Sequence, residues 1–409
     1  MNTGDTCFII ICAAFVFIMT PGLALFYGGL GRRKNMVNNM MNSAFVMGLG
    51  IVLYVLAGYS LSFGDNGGSF IGSFENLGLR GINKNSVYGD NIPVFAFAAF
   101  QMMFALITPA IITGSVSGRM KFKALFIFII FWSILVYYPL AHMVWGGGLI
   151  GGKIGALDFA GGDVVHISSG TTGLILAVLL GKRQGYAQTS YRTHNLPFIL
   201  LGTGLLWFGW FGFNAGSALA ANGLAAHAFM TTAVSAAAAM LVWMLIDVTK
   251  QGKPTLIGAC TGVVAGLVGV TPAAGFVPVW AALIIGLTVS PVCYFGIIFI
   301  KKKLKVDDAL DAFGCHGIGG IWGGIMTGVF ADPAINGGSG GLMFGLSGQF
   351  FAQIIGILLT LLIVIAGTFI CAGITRVFTP LRVEKKEELV GLDISEHGES
   401  AYPAFTGLD

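Results

Sequence analysis

Two histidines occupy the same position in two related sequence frames that lie 150 residues apart. The first frame reads D-F-A-G-G-D-V-V-H and ends at His166, and the second reads D-A-L-D-A-F-G-C-H and ends at His316. Each histidine opens an apolar stretch long enough to cross a bilayer. An ionisable ring is costly inside a membrane and is usually retained there for a function. The pair therefore predicts a functional site within a membrane.

Two such rings, related by a pseudo-twofold axis in the membrane plane, can meet near the midplane, bridge their nitrogens and line a narrow lumen. One feature makes this meeting harder to reach: His166 lies only three residues after the charged Asp163, near the start of its apolar stretch. The start of that stretch must be sunk into the protein for the rings to meet. The plainer interpretation makes each ring a packing residue bonded to a neighbour, and the matched frames weaken it.

Other chemistries for the two rings find less support in the sequence. Zinc usually takes three or four ligands, and no third ligand or C-x-x-C pair accompanies the histidines. No Ser-His-Asp arrangement or nucleophile motif can be assembled either. The sequence therefore predicts no enzyme activity, no metal and no cofactor.

Aromatic clusters supply a second candidate site. They are F-Q-M-M-F ending at Phe104, H-M-V-W-G-G-G around Trp145, and W-F-G-W-F-G-F-N-A-G-S from Trp207 to Ser217. Trp145 is either an interfacial belt residue or a cation–π platform, which attracts a small desolvated cation by about 2 kcal/mol or more. Both interpretations stay open on the residues alone.

Composition indicates the elements that carry these residues. With 56% apolar and 10% charged residues and a mean hydropathy of +0.84, the chain is predicted to be an all-α, multi-pass membrane protein. A helix needs about 20 apolar residues to cross the hydrocarbon core. Eleven stretches meet that length, centred near Ala14, Gly50, Met103, Phe131, Leu176, Leu205, Ala236, Val263, Leu287, Ile321 and Leu361.

The basic residues predict the orientation of these crossings, because lysine and arginine favour cytoplasmic loops. With the N-terminus outside and the C-terminus cytoplasmic, only Arg80, Lys84 and Lys153 lie outside. The other nineteen lie in inner loops or the tail: Arg32, Arg33, Lys34, Arg119, Lys121, Lys123, Lys182, Arg183, Arg192, Lys250, Lys253, Lys301, Lys302, Lys303, Lys305, Arg376, Arg382, Lys385 and Lys386. The net charge of +4 follows from this topology and gives no indication of nucleic-acid binding.

The histidine frames belong to the fifth and tenth stretches and so run in opposite directions, a pattern typical of an inverted repeat of five plus five helices. The predicted transmembrane transport domain is residues 1–376. Its repeat halves lie at about 5–182 and 196–330, and an extra helix lies at about 341–376. Residues 377–409 form a charged cytoplasmic tail that is too short for a separate domain.

The motifs together resemble the ammonium transporter family that includes the Rh proteins, and within it the microbial ammonium transporter branch. The matching stretches are Y-G-G-L at Tyr27, F-Q-M-M-F-A, H-M-V-W-G-G-G, D-F-A-G-G-D-V-V-H, W-F-G-W-F-G-F-N-A-G-S, T-P-A-A-G at Thr271, D-A-F-G-C-H-G and G-L-D-I-S-E-H-G-E-S-A-Y. They run from the first predicted span to the tail.

By motif, the resemblance implies an outer site that recruits ammonium at Trp145, Phe104 and Ser217, where the hydroxyl accepts a hydrogen bond from ammonium. It also implies that Phe104 and Phe213 form a stacked gate beneath this site. The expected activity is ammonium-selective transport, with methylammonium as an analogue.

The resemblance assigns the remaining residues to the pore and its support. His166 and His316 would line a hydrophobic pore that conducts ammonia. Asp158 would be a structural carboxylate that supports loop geometry, an interpretation preferred over direct proton acceptance. Trp210 and Thr271 would shape the vestibule and the pore mouth.

The family resemblance also implies partners. It implies a homotrimer in the cell membrane, with one pore in each subunit. The tail is expected to pack on the inner face as a regulatory segment that couples the subunits, and a PII-type signalling protein is a candidate partner. Two alternatives stay open: an ammonium sensor, which usually carries a fused signalling domain, and a general ion or water channel.

Two features allow more than one interpretation. The longest outer loop runs from about Gly64 to Asn91 and is rich in Gly and Asn. It either shapes an outer vestibule or, as preferred here, is a plain connector. Asp163 stands where the resemblance predicts a small or hydroxyl residue. It either adds charge to the vestibule or, as preferred here, faces a subunit interface or solvent.

Overall fold

The computed structural model describes residues 1–65, 67–89, 91–186, 188, 193–338, 340–345 and 347–403. It is a bundle of helices: α1 (Thr3–Leu30), α2 (Arg33–Phe63), α3 (Val94–Val116), α4 (Phe122–Ile154), α5 (Gly162–Leu180), α6 (Leu196–Gly216), α7 (Gly223–Gln251), α8 (Leu256–Val270), α9 (Val279–Leu304), α10 (Ile318–Phe330), α11 (Ser347–Phe378) and the tail helix α12 (Lys385–Val390). The runs α2, α4, α5 and α9 each include π-helical turns.

Within the described ranges, nine helices are long and apolar enough to cross a membrane. The chain is therefore a multi-pass membrane protein. The other two predicted spans are shorter: α8 has 15 residues and α10 has 13, preceded by a π-helical turn at Phe313–Gly317. All eleven predicted centres lie in helices.

The extra helix α11 begins at Ser347, later than the predicted boundary near residue 341, because Leu342–Phe344 form a separate 3-10 turn. Arg192 and tail residues 404–409 lie outside the described residues.

Glycines bring helix backbones close together in the bundle, as small residues do in membranes. Helix α1 packs along α6. A Cβ atom added at Gly202 would lie 2.5 Å from the backbone nitrogen of Phe26, and one added at Gly22 would lie 2.9 Å from Cβ of Leu205. A larger residue at either glycine would push the two helices apart.

A two-stranded antiparallel hairpin precedes α3 in the predicted outer loop. Its strands are β1 (Val87–Tyr88) and β2 (Ile92–Pro93), with Tyr88 opposite Ile92 and Val87 opposite Pro93. The backbone N–H of Val94 donates to Ser86 O at 2.9 Å. The hairpin is thereby fixed to the first turn of α3.

The tail packs against the end of the bundle that carries the basic loops, called here the basic end. Lys34 Nζ donates to Glu388 O at 2.8 Å, and the backbone N–H of Asn38 donates to Asp393 Oδ1 at 2.8 Å. Arg382 forms an ion pair with Glu388 at 2.7 Å. These contacts hold α12 and the following turn against the start of α2.

Candidate functional site

The turn that carries His166 is anchored by one buried carboxylate. Asp158 Oδ1 accepts hydrogen bonds from the backbone N–H groups of Gly161 and Gly162 at 2.7 and 2.6 Å. Its Oδ2 accepts from Asp163 and Val164 at 2.8 and 3.3 Å. Since the first N–H groups of a helix lack intrahelical acceptors, this carboxylate satisfies the donors at the start of α5 inside the protein.

The second frame repeats this arrangement. Asp308 accepts hydrogen bonds from the backbone N–H groups of Ala312, Phe313 and Gly314, at 3.2, 2.9 and 3.4 Å. A fourth hydrogen bond comes from Ser115 Oγ of α3, at 2.7 Å. Both carboxylates therefore begin a π-helical turn, a feature common at functional sites.

The two turns bring the histidine rings together. Nδ1 of His316 lies 3.2 Å from Nδ1 of His166, so one ring donates to the other. His166 is only 1% exposed and His316 only 4%. Asp163 is buried as well. The start of α5 therefore lies inside the protein, as the sequence required for His166 to reach His316.

Two glycines make this approach possible. A Cβ atom at Gly170 would lie 2.4 Å from the backbone nitrogen of Gly317, and one at Gly320 would lie 3.1 Å from Cβ of His166. Each glycine occupies the same place in its frame and faces the other frame's histidine turn. The contact between the two frames is therefore reciprocal.

The rings line a narrow apolar lumen with a volume of about 10 Å³. Its other lining residues are Met19, Leu23, Phe26, Ile107, Ile111, Val165, Leu206, Trp210, Phe213 and Val264. Nε2 of His166 is buried there without a hydrogen-bond partner in the described structure. It is free to bond with a small molecule in the lumen.

Trp145, Phe104 and Ser217 line a second, outer cavity of about 140 Å³. The Trp145 and Phe104 rings meet edge to face with centroids 5.8 Å apart, and Trp145 Nε1 donates to Asp158 O at 2.9 Å. Ser217 Oγ donates to Phe213 O at 2.9 Å. Because that bond uses the hydroxyl hydrogen, the oxygen is left to accept a hydrogen bond from a ligand.

Phe104 and Phe213 separate the outer cavity from the lumen. Their ring centroids lie 4.2 Å apart with an angle of 32° between the planes, and the residues are 1% and 0% exposed. The Phe213 ring also stacks 6.1 Å from His166. Phe104 lines the outer cavity and Phe213 lines the lumen, so the ring pair lies between the two cavities.

Trp210 lies deeper than the sequence analysis expected. Its ring stacks 5.3 Å from that of His166 and lines the lumen rather than the outer cavity. Trp210 Nε1 donates to Thr271 Oγ1 at 2.9 Å. Thr271 therefore fixes the orientation of a lumen residue through this hydrogen bond.

The preferred interpretation of the outer loop as a plain connector is wrong. Tyr88 from the hairpin lines the outer cavity, as do Phe97 and Gln101 of α3. The sequence analysis did not identify these residues, although Gln101 lies within the F-Q-M-M-F motif. Since residues i and i+3 share a helix face, its spacing from Phe104 indicated a common direction.

The preferred interpretation of Asp163 is also wrong. Its side chain is buried within the chain and faces α11, where a Cβ atom added at Gly356 would lie 3.8 Å from Asp163 Oδ2. The other oxygen, Oδ1, has no hydrogen-bond partner in the described structure. Helix α11 covers this side of α5, so Asp163 reaches neither solvent nor the outer cavity.

A third cavity, of about 860 Å³, opens at the basic end. Its lining includes Asp311 and six basic residues: Arg32, Lys182, Arg183, Lys301, Lys302 and Lys305. Phe26 lines both this cavity and the lumen. The lumen and this inner cavity therefore adjoin each other, and the Phe104–Phe213 pair lies between the lumen and the outer cavity.

Among the residues that the structure describes, no group of three or more His, Cys, Asp or Glu side chains is arranged to hold a metal ion. The two histidines meet with each other and with aromatic rings. The arrangement is therefore a lumen lined by imidazoles.

Comparison with known proteins identifies the kind of protein that carries these cavities. Residues 7–402 match the profile of the Ammonium Transporter Family. The chain belongs to that family. Its members are transporters rather than enzymes.

Individual relatives agree along nearly the whole chain. An ammonium transporter from Bacillus subtilis is 49% identical over 404 residues, which cover 98% of this chain and 99% of the relative. The crystal structure of Saccharomyces cerevisiae Mep2 superposes with a TM-score of 0.91 at 35% identity, covering 99% of this chain and 93% of Mep2. A structure described as a sensor Amt protein superposes with a TM-score of 0.87 at 26% identity, covering 96% of this chain and 98% of that protein.

Proposed function

We propose that this protein is an ammonium-selective transport channel of the cell membrane. It recruits ammonium in the outer cavity, where the ion gives up one proton to water, and the resulting ammonia passes through the lumen into the cytoplasm. The observation that carries this proposal is the pair of bridged histidines in an apolar lumen of about 10 Å³ beneath the Phe104–Phe213 gate. Family membership and the Bacillus subtilis and Mep2 relatives support it.

The outer cavity suits a cation that still keeps part of its water. At about 140 Å³ the outer cavity is much larger than the lumen, which has room for about one water-sized molecule, so it can hold an ion together with several waters. The Trp145 face attracts the charge, and Ser217 Oγ accepts a hydrogen bond from ammonium. Asp158 supports this site structurally, because four backbone N–H groups occupy its carboxylate.

The lumen explains selectivity against potassium. Potassium and ammonium ions are similar in size, so a filter of carbonyl groups would pass both. The lumen has room for about one water-sized molecule, and an unpaired ion in an apolar interior carries an idealised cost of tens of kcal/mol. Ammonium avoids this cost by losing a proton, and potassium has none to lose.

The histidines then act as hydrogen-bonding groups for ammonia in an apolar passage. Replacing His166 or His316 with Ala tests this role. In proteoliposomes exposed to ammonium and methylammonium, each variant should lose transport or its selectivity against potassium. Native rates and native selectivity in both variants would make the rings packing residues and reject the proposed pore.

The family resemblance and the reciprocal contacts between the frames also support a proposed architecture. It has eleven crossings, five plus five in an inverted repeat plus α11, with the N-terminus outside and the basic end in the cytoplasm. Three chains form a homotrimer with one pore in each subunit. The regulatory tail couples the subunits and contributes to binding of a PII-type signalling protein. A chain ending at Thr379 should therefore lose both the coupling and the binding. Unchanged regulation in that variant would reject this role of the tail.

An ammonium sensor is a second candidate function, favoured by two observations. A structural relative is described as a sensor Amt protein. In this chain, Arg382 at the root of the tail donates to Leu180 O at 2.7 Å, which links the tail to the helix that carries His166. A sensor would change the binding of a cytoplasmic partner with ammonium concentration even when a His166 variant blocks transport.

A further inference from the structure

One aromatic ring in the outer cavity comes from the loop between α2 and α3. Tyr88 lies in β1 and lines the same cavity as Trp145, Phe104 and Ser217. Long loops that contribute side chains to a cavity often carry function. Tyr88 therefore borders the space in which the proposed transport begins.

The position of this ring is fixed by aromatic packing. Tyr88 stacks on Phe97 with centroids 3.5 Å apart and an angle of only 6° between the planes. Phe97 is 1% exposed, and Phe63 of α2 packs edge-on against it at 4.9 Å. Since Phe97 is held within the bundle, it prevents the Tyr88 ring from moving away from the cavity.

The backbone around Tyr88 is fixed as well. Tyr88 pairs with Ile92, which is 2% exposed, and the hairpin is bonded to the first residue of α3. Helix α3 also carries Phe104, one side of the gate. The hairpin that carries Tyr88 is therefore attached to the same helix that carries Phe104.

Tyr88 contributes a neutral group to the cavity. Burial, with the nearby Asp65 carboxylate as a smaller cause, raises the pKa of the Tyr88 phenol. The phenol therefore stays uncharged at neutral pH and cannot attract a cation as a counter-charge. Its ring, stacked on Phe97, also limits the space that a bound cation can occupy.

We propose that Tyr88 is a specificity-determining residue, the outer wall that sets how large an ammonium derivative the recruitment cavity accepts. This inference rests on the proposed transport of ammonium. The chemical class it concerns is the alkylammonium ions, which differ from ammonium by added methyl groups. A fixed wall discriminates by such increments because each methyl group must find space in the cavity.

The test compares transport of ammonium and methylammonium by full-length protein in proteoliposomes. Tyr88→Ala should raise the ratio of methylammonium to ammonium transport by about threefold or more. This change is smaller than the discrimination between substrates that one methylene group gives in a closed pocket. Tyr88→Trp should lower the ratio, and Tyr88→Phe should leave it close to native. Val87→Ala is the matched control, because Val87 is the preceding strand residue and is 41% exposed.

The outcomes separate this inference from the proposed function. A native protein that transports no ammonium rejects the proposed function and the inference with it. If the native protein transports ammonium and the Ala and Trp variants keep its ratio, the inference alone is overturned. If Tyr88→Ala fails to fold, the direction of the Tyr88→Trp shift decides the inference.

Discussion

The two histidine frames share their geometry and differ in their surroundings. In both, a buried carboxylate accepts four hydrogen bonds and begins a π-helical turn that ends near the histidine. In both, a glycine faces the other frame's turn. These shared positions are the ones that place the two rings 3.2 Å apart.

The differences follow from what covers each frame. Five residues after the carboxylate, the first frame has Asp163 against α11, and the second has Phe313. Asp308 also accepts a hydrogen bond from Ser115 of α3, whereas all four donors to Asp158 are local backbone groups. The meeting of the two rings therefore depends on the shared residues, while the other positions differ with the helices that cover each frame.

Removing either carboxylate should have the largest effect. Asp158→Ala and Asp308→Ala each leave hydrogen-bond donors buried without an acceptor, at about 1–3 kcal/mol for each donor. We expect both variants to lose several kcal/mol of stability and nearly all transport. Thermal unfolding in detergent and proteoliposome flux measure these losses, with the exposed Glu75→Ala as a control. If one of the two variants kept the native unfolding temperature, Asp158 and Asp308 would not have the same structural role.

The crossing glycines should show a graded effect. An added Cβ at Gly170 meets backbone atoms of Gly317 at 2.4 and 2.7 Å, whereas its closest contacts at Gly320 are 3.0 and 3.1 Å. Gly170→Ala should therefore reduce stability and transport more than Gly320→Ala, by about 1–3 kcal/mol for the overpacked site. The same two assays measure the difference. The reverse order would contradict the described approach of the two turns.

Asp163 should give an effect of opposite sign. Its Oδ1 is buried without a hydrogen-bond partner, so Asp163→Thr removes an unsatisfied oxygen and keeps the backbone N–H bond to Asp158. We expect stability to rise by about 1 kcal/mol with transport retained. Phe313→Thr, at the matching position, should reduce stability. A large loss of transport in Asp163→Thr would show that the carboxyl group has a role in the pore.

The tail contact should have the smallest effect on the pore. Glu388 pairs with Arg382 and accepts a hydrogen bond from the backbone N–H of Gln184, so Glu388→Gln weakens the link between the tail and the loop after α5 by about 1 kcal/mol. We expect near-native transport and faster proteolysis after α11. Lys385→Gln serves as the control. If Glu388→Gln abolished transport, the tail would belong to the pore's geometry.

The two repeated histidine frames could be predicted from the sequence, whereas contacts between residues far apart in the chain could not. The matched frames indicated that His166 and His316 meet, because equal spacing places equal groups on two related helices. Nothing in the local pattern indicated that α11 covers Asp163 or that Trp210 stacks on His166. Tyr88 reaches the outer cavity through its stacking on Phe97, a contact between a loop and a helix that spacing alone does not specify.

Selectivity between ammonium and potassium distinguishes the proposed function from a general ion channel. Proteoliposomes containing the purified native protein would receive equal concentrations of the two ions in turn, and flux would be followed as current or internal pH change. We expect a response to ammonium, and none above that of protein-free liposomes to potassium, because only ammonium can give up a proton. Equal flux of the two ions would contradict the proposed function.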